Sequence, residues 1–174
     1  MVIVFEQPVE NDIESHNITD IVVDRYDAIK GRLRTASPSN NEDIVIDLPR
    51  GRTISHNDIF GPSPSGQYYR IVIKPETTVK VTLQHLGEPI DSQNKLKLGY
   101  HIGNRHLEAL VENDALYIPA TIGIDTIKQV LANTNLPVRL EIVQKIISPD
   151  SENYRPGEQE DHNVQGGFEA SHHH

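Results

Sequence analysis

Hydrophobic and polar residues alternate in short runs through the first half of the chain, which is the pattern of β-strands with one buried face. Segments rich in proline, serine, glycine and asparagine, at 37–41 and 61–66, separate these runs and predict turns. No helical periodicity there is long enough to require a helix. Residues 1–75 are therefore predicted to form an all-β domain, with strands at 21–26, 31–36, 43–48 and 68–74.

The pattern changes after residue 75, where strand-like and helix-like segments begin to alternate. Ile124, Ile127 and Leu131 recur at spacings of three and four, so they form the apolar stripe of a helix. The other segments are a strand at 79–83, a helix at 93–102, strands at 107–112 and 115–119, and a strand at 138–142. The resulting βαββαβ order is that of a ferredoxin-like split βαβ domain, predicted for 76–147. The fold class is therefore α+β, with two small domains.

Residues 148–174 differ in composition from the rest of the chain. They contain six acids, four histidines and a single arginine, Arg155. Apart from Tyr154 and Phe168, they offer almost nothing to bury. We expect this segment to be a flexible, acidic, histidine-containing tail.

The charge and composition of the 174 residues exclude several classes of function. The net charge of −9 opposes binding to nucleic acid or to an anionic membrane surface. The mean hydropathy is −0.46, and the apolar runs are far shorter than the roughly 20 residues that span a bilayer. Because the first residues carry no cation before a short apolar stretch, no secretory signal is expected and we predict a cytoplasmic protein.

An enzyme is not expected from this sequence. The chain has no cysteine, so thiolate nucleophiles, disulfides and cysteine-type metal sites are excluded. It contains neither a Gly-x-Ser-x-Gly elbow nor a glycine-rich phosphate loop. A fixed set of three ligands for a catalytic metal cannot be identified in the two domains.

Histidine is the residue type that stands out, with nine in the chain. His101 and His106 are five residues apart, about 140° around a helix, so they cannot hold one ion together from a regular helix. Either could instead be a packed or hydrogen-bonded histidine. The tail histidines His162 and 172–174 are suitable ligands for nickel, copper or zinc, because imidazoles on a flexible chain can close around an ion. The terminal three can also be the remnant of a purification tag.

Residues 99–106 read Gly-Tyr-His-Ile-Gly-Asn-Arg-His, followed by a predicted hairpin and a tail with histidines. This region resembles the signature of the UreE family, the urease accessory nickel metallochaperones. The first half agrees with it through basic residues and a Leu-Pro-Arg-Gly segment at 48–51, and the resemblance spans about residues 20–147. The basic residues are Arg25, Lys30, Arg32 and Arg34.

The resemblance implies a homodimer in which the ferredoxin-like domains meet at a twofold axis and His106 of each chain shares one ion. The ion would be Ni²⁺ as transient cargo, although Zn²⁺ or Cu²⁺ can also bind. Mobile tail residues would complete the coordination, with His162 less favoured than the terminal three, which are His172, His173 and His174. The implied partners are the urease accessory GTPase and, through it, the urease apoprotein.

The resemblance also implies that the first domain binds a peptide or partner protein. Its basic residues would then face an acidic partner, or they are ordinary solvated strand residues. Tyr117 is followed by Ile-Pro-Ala, so the extra histidines of some relatives are absent here, and we expect one or two ions per dimer. Two other functions stay open, namely a general zinc, copper or nickel buffer and an adaptor that binds no metal.

Overall fold

The computed structural model describes residues 1–10, 13 and 17–157. The described chain divides into two compact units, one formed by 1–75 with 146–151 and the other by 76–145 with 152–157. Strands and helices occur together, so the predicted α+β class is confirmed. Within the described ranges, no helix has the length and apolar character needed to cross a bilayer.

The first unit contains two three-stranded sheets around one core of buried isoleucines with Phe60 and Tyr69. Its elements are β1 (Val2–Phe5), β2 (Ile18–Val23), α1 (Arg25–Lys30), β3 (Arg32–Ala36), β4 (Asp43–Asp47), β5 (Ile59–Phe60) and β6 (Tyr68–Ile73). One sheet has the order β1-β4-β3 and the other β2-β6-β5. The alternation in the sequence therefore identified β2, β3, β4 and β6.

The helix α1 corrects the prediction that this region is all-β. The strand predicted at 21–26 ends early because the Asp24 carboxylate accepts a hydrogen bond from the Asp27 backbone N–H at 2.9 Å and caps the helix. Gly31 ends α1 in the left-handed conformation at φ 67°, and a Cβ there would lie 2.2 Å from the Arg52 carbonyl oxygen. Six residues are too few to show a helical period, which is why the sequence pattern did not reveal them.

The second unit has the βαββαβ order that the sequence predicted. Its elements are β7 (Glu76–Leu83), α2 (Ile90–Asn104), β8 (Ala109–Glu112), β9 (Ala115–Pro119), α3 (Ile124–Ala132), β10 (Val138–Lys145) and β11 (Tyr154–Arg155). The sheet order is β10-β7-β9-β8-β11, with every neighbouring pair antiparallel. The core of this unit joins sheet residues such as Val79 and Ile118 to helix residues such as Leu98 and Ile127.

Residues 148–157 belong to the folded part of the chain, contrary to the predicted start of the tail at 148. Tyr154 and Arg155 form β11, which pairs with Leu110 and Ala109 of β8. An edge strand offers unpaired backbone groups, and β11 uses those of β8. The remaining predicted tail residues, including His162, His172, His173 and His174, lie outside the described residues.

Candidate metal site

His106 lies two residues after the last residue of α2, at the position where a helix usually ends on glycine. Its backbone N–H donates to the Gly103 carbonyl at 3.1 Å, and the Leu107 N–H donates to the Ile102 carbonyl at 3.4 Å. These two bonds define a Schellman ending, in which the residue at His106 must be left-handed. His106 accordingly has φ 54°.

A left-handed histidine is backbone strain at an exposed position. The conformation costs an L-residue about 1 kcal/mol or more, although histidine tolerates it better than most residues. The next residue, Leu107, packs against the core cluster that contains Ile102, and so fixes the chain on the far side of the strained position. Strain that is retained at an exposed, chemically active side chain is more common at functional sites.

The residues around His106 come from the segment between α2 and β8 and from β11. The His106 Nδ1 atom lies 3.5 Å from Nη2 of Arg155, and both side chains are exposed. Two residues after the histidine, Glu108 is buried and accepts a hydrogen bond from the Tyr154 hydroxyl at 2.5 Å. In the part of the chain that the structure describes, no group of three or more histidine, cysteine, aspartate or glutamate side chains could hold a metal ion. At this position a single described chain therefore supplies the exposed imidazole of His106 rather than a closed site.

His101 lies within α2 and is half-buried. Its ring packs edge-on against the Tyr100 ring, with centroids 6.0 Å apart and an angle of 72° between the planes. Its carbonyl accepts the Arg105 N–H at 3.2 Å. These contacts favour the packed alternative for His101 over a role as a ligand.

One side of α2 exposes large apolar residues. The side chains of Leu96 and Tyr100 are 77% and 70% exposed, which is unusual for two such residues one turn apart. At 3.6 residues per turn they share a side with Gly103, roughly opposite the core-facing Leu98 and Ile102. We call the side formed by Leu96, Gly99, Tyr100 and Gly103 the exposed face of α2; His106 follows its carboxyl end.

Most of the basic residues that the sequence singled out in the first unit have partners in the described part of the chain. Arg25 is buried, and its guanidinium lies 5.2 Å from the centre of the Tyr26 ring. Arg32 pairs with Asp47 at 3.0 Å, and Arg34 pairs with Asp43 at 2.7 Å. The hydrogen bond from Arg34 lowers the pKa of Asp43 below its usual range. Three of the four cations that the sequence singled out thus have partners within the chain, which favours the alternative of ordinary strand residues.

Sequence reasoning missed three features near the ends of α2. His85, to which the sequence assigned no chemistry, has its Nδ1 atom 2.5 Å from Oδ2 of Asp91, in the first turn of the helix. Tyr154 and Arg155 belong to a segment that composition assigned to the tail. For the contact between His85 and Asp91, the sequence signal was a carboxylate six residues after a histidine. No local signal predicts the pairing of β11 with β8.

Residues 76–174 match the family model described as "UreE urease accessory protein, C-terminal domain". The chain is 32% identical over 113 residues to "Urease accessory protein UreE" of Prochlorococcus marinus strain MIT 9215, covering 63% of this chain and 66% of that protein. It is 33% identical over 87 residues to the protein of that name from Nitrosospira multiformis, covering 50% and 45%. The chain therefore spans less than two thirds of the length of these relatives.

Proposed function

The chain belongs to the family of UreE urease accessory proteins, and we propose that it is a nickel metallochaperone that binds Ni²⁺ at His106 and delivers it for assembly of the urease active site. The family is one of accessory proteins and not of enzymes, as the sequence predicted for this chain. The observation that carries the proposal is the exposed, left-handed His106 at the end of α2. Neutral imidazole is a good ligand for Ni²⁺.

The proposed binding unit is a homodimer formed through the exposed face of α2. A twofold axis turns one exposed ligand per chain into two converging ligands without a second site. Leu96 and Tyr100 would bury apolar area in that contact, while Gly99, which has open space around it, would let the two helices approach closely. His106 follows the same face, so packing the carboxyl ends of the two helices together would bring the two imidazoles near each other.

Tail histidines would complete the coordination. A Cβ on Gly157 would lie 3.1 Å from the Cβ of Glu108, so the backbone at Gly157 runs close to the strand that follows His106. The five residues from there to His162 can span at most about 17 Å, so this histidine has the shortest connection to the site. Residues 172–174 reach it through a longer loop, whose closure costs more entropy. This favours His162 more than the sequence alone did and keeps His172, His173 and His174 as further ligands.

Ligation by imidazoles, with water or carboxylate, suits a carrier that must release its ion. Thiolates would hold soft ions more tightly, and the chain has none. The same imidazoles would bind Cu²⁺ more tightly than Ni²⁺ in solution, so the metal delivered depends on the partners and not on affinity rank. We propose that these partners are the urease accessory GTPase and the urease apoprotein, and that the chain acts in the cytoplasm.

The site is tested by counting the ions bound to three proteins with native mass spectrometry. The proteins are the full chain, a chain that ends at Ser171, and His106→Ala in the full chain. We expect one or two Ni²⁺ per dimer for the full chain, fewer or weaker for the shortened chain, and loss of the shared ion in His106→Ala. Equal loading of all three proteins would show that the ligand assignment is wrong.

Delivery is tested separately, because a metal buffer would pass the loading test as well. The loaded dimer is mixed with the accessory GTPase and urease apoprotein, and urease activity is measured with a chelator that captures free Ni²⁺. Activation by the wild type and not by His106→Ala supports a metallochaperone. Metal binding without activation favours a general buffer, and activation without metal binding favours an adaptor.

A further inference from the structure

Arg155 places a positive charge beside the imidazole of His106, where it opposes a bound metal ion. Its Nη2 atom lies 3.5 Å from His106 Nδ1. Its other terminal nitrogen, Nη1, lies 3.5 Å from the place where a Cβ on Gly103 would be, so the guanidinium covers the last turn of α2 next to the imidazole. The carbonyl end of a helix favours such a cation.

The close approach of the Arg155 guanidinium to the His106 imidazole affects how a metal ion can bind the imidazole. A guanidinium carries only hydrogen-bond donors, so a hydrogen bond between these two groups requires Nδ1 of His106 to be the acceptor, with the ring N–H on Nε2. A metal ion needs an unprotonated nitrogen. A metal ion that binds Nδ1 must therefore displace Arg155. A metal ion that binds Nε2 requires the ring proton to move to Nδ1, and that proton would then face the guanidinium.

The position of Arg155 is built into the fold. β11 pairs with β8 through Tyr154 and Arg155, and the Asn153 carbonyl accepts the Val111 N–H at 3.2 Å. The Tyr154 hydroxyl donates to the buried Glu108 at 2.5 Å. The segment 153–155 is thus fixed to the strand after His106, and it presents the arginine to the imidazole.

We propose that Arg155 competes with the metal ion for His106, and that loading requires its displacement. This inference rests on the proposed function. In the metal-free protein the guanidinium contacts the ligand nitrogen, and in the loaded protein its charge repels the ion. Arg155 thereby makes the site weaker and faster to release, which a carrier needs and a store does not.

The test compares Arg155→Ala with Arg105→Ala in the full chain. Arg105 is also exposed and is the residue next to His106 in sequence, so its variant is a matched control for the loss of one positive charge. A unit charge about 6 Å from a divalent ion changes its affinity about tenfold even at the dielectric constant of water. We expect Arg155→Ala to lower the Kd for Ni²⁺ about tenfold and to slow release to a chelator, and Arg105→Ala to change the Kd by a smaller factor.

A second variant and a metal-free measurement separate this inference from the proposed site. Tyr154→Phe removes the hydroxyl that contacts Glu108 but keeps the ring, and should give part of the effect of Arg155→Ala. Nitrogen-15 NMR of the metal-free protein should show that Arg155→Ala shifts the His106 Nδ1 signal and Arg105→Ala does not. An unchanged or weaker affinity in Arg155→Ala, or an equal gain in Arg105→Ala, would overturn the competition. Wild-type affinity for Ni²⁺ in His106→Ala would instead overturn the proposed site. The NMR shift in Arg155→Ala would still show the contact between Arg155 and His106, because it is measured without metal.

Discussion

The two ends of α2 each carry an exposed histidine, and the fold surrounds them with opposite charges. His85, before the helix, has a side chain that is 93% exposed, but its Nδ1 lies 2.5 Å from the carboxylate of the nearly buried Asp91. His106, after the helix, lies beside the guanidinium of Arg155. The carboxylate orients the first ring through its N–H, whereas the guanidinium faces the lone pair of the second ring.

His85 stabilises a loop, whereas His106 is available to a metal ion. Asp91 also accepts the backbone N–H groups of Leu86 and Gly87, at 2.8 and 3.2 Å, so the His85 contact belongs to a network that closes the start of α2. Among the residues that the structure describes, the His106 ring lies beside a cation, Arg155, and its backbone is strained. A carboxylate behind a histidine is also common in metal sites, so the distinction needs a direct test.

The largest expected difference is in nickel affinity. His106→Ala removes two ligands from the proposed dimer site and should weaken Ni²⁺ binding by at least about 100-fold, as expected when more than one ligand bond is lost. His85→Ala should change the affinity by less than about twofold, since it leaves the proposed ligands in place. Isothermal titration calorimetry of the two variants measures both values. A comparable loss in His85→Ala would remove the distinction between the two ends of the helix.

The exposed face of α2 lies between His85 and His106. We expect changes on this face to affect Ni²⁺ binding at His106, at the carboxyl end of the helix, and not the contacts of His85. Leu96→Glu and Tyr100→Glu place a charge in the proposed twofold contact, so we expect monomers that fold normally and bind less Ni²⁺ per chain. Lys97→Glu is the matched control on a neighbouring exposed position, with the wild-type dimer expected. Analytical ultracentrifugation checks the association, and a stable dimer in both apolar variants would place the interface elsewhere.

Replacing the strained histidine should separate stability from function. In His106→Gly the left-handed position carries glycine, which relieves strain but adds freedom to the unfolded chain, so stability should rise by about 0.5 kcal/mol. Nickel binding should be lost as in the alanine variant. Denaturant unfolding and calorimetry on the same protein provide the two values. Loss of stability in the glycine variant would mean that the His106 side chain supports the fold.

The smallest expected effect is on acid stability at the amino end of the helix. The hydrogen bonds from Leu86 and Gly87 and the contact with His85 lower the pKa of Asp91 below 3.8. The stabilisation from this carboxylate is therefore complete above pH 3.8 and is lost as the pH falls through the lower folded-state value. Asp91→Asn should lower Tm at pH 5 to 7. The difference in Tm between the variant and the wild type should become smaller near pH 3. A gap that stays constant down to that pH would contradict this linkage.

Much of the architecture follows from local patterns in the sequence. The strand predicted at 115–119 coincides with β9, and alternating or stripe-forming residues located the other main elements of the second unit. The local pattern missed α1, because six residues closed by Asp24 and Gly31 are shorter than a readable helical period. It also assigned residues 148–157 to the tail, because the two residues of β11 owe their conformation to β8, more than 40 positions away.

The sequence by itself determined the chemical character of the candidate site and the order of the elements around it. An absence of thiols, a histidine at the end of a helical segment and the βαββαβ pattern are properties of side-chain type and spacing. Only the tertiary structure decided that His106 is left-handed, that Arg155 approaches it from 49 residues away, and that Arg32 and Arg34 are paired with aspartates. The physical reason is that helix caps depend on where the following chain packs, and that contacts between distant residues depend on strand pairing, which spacing along the chain does not encode.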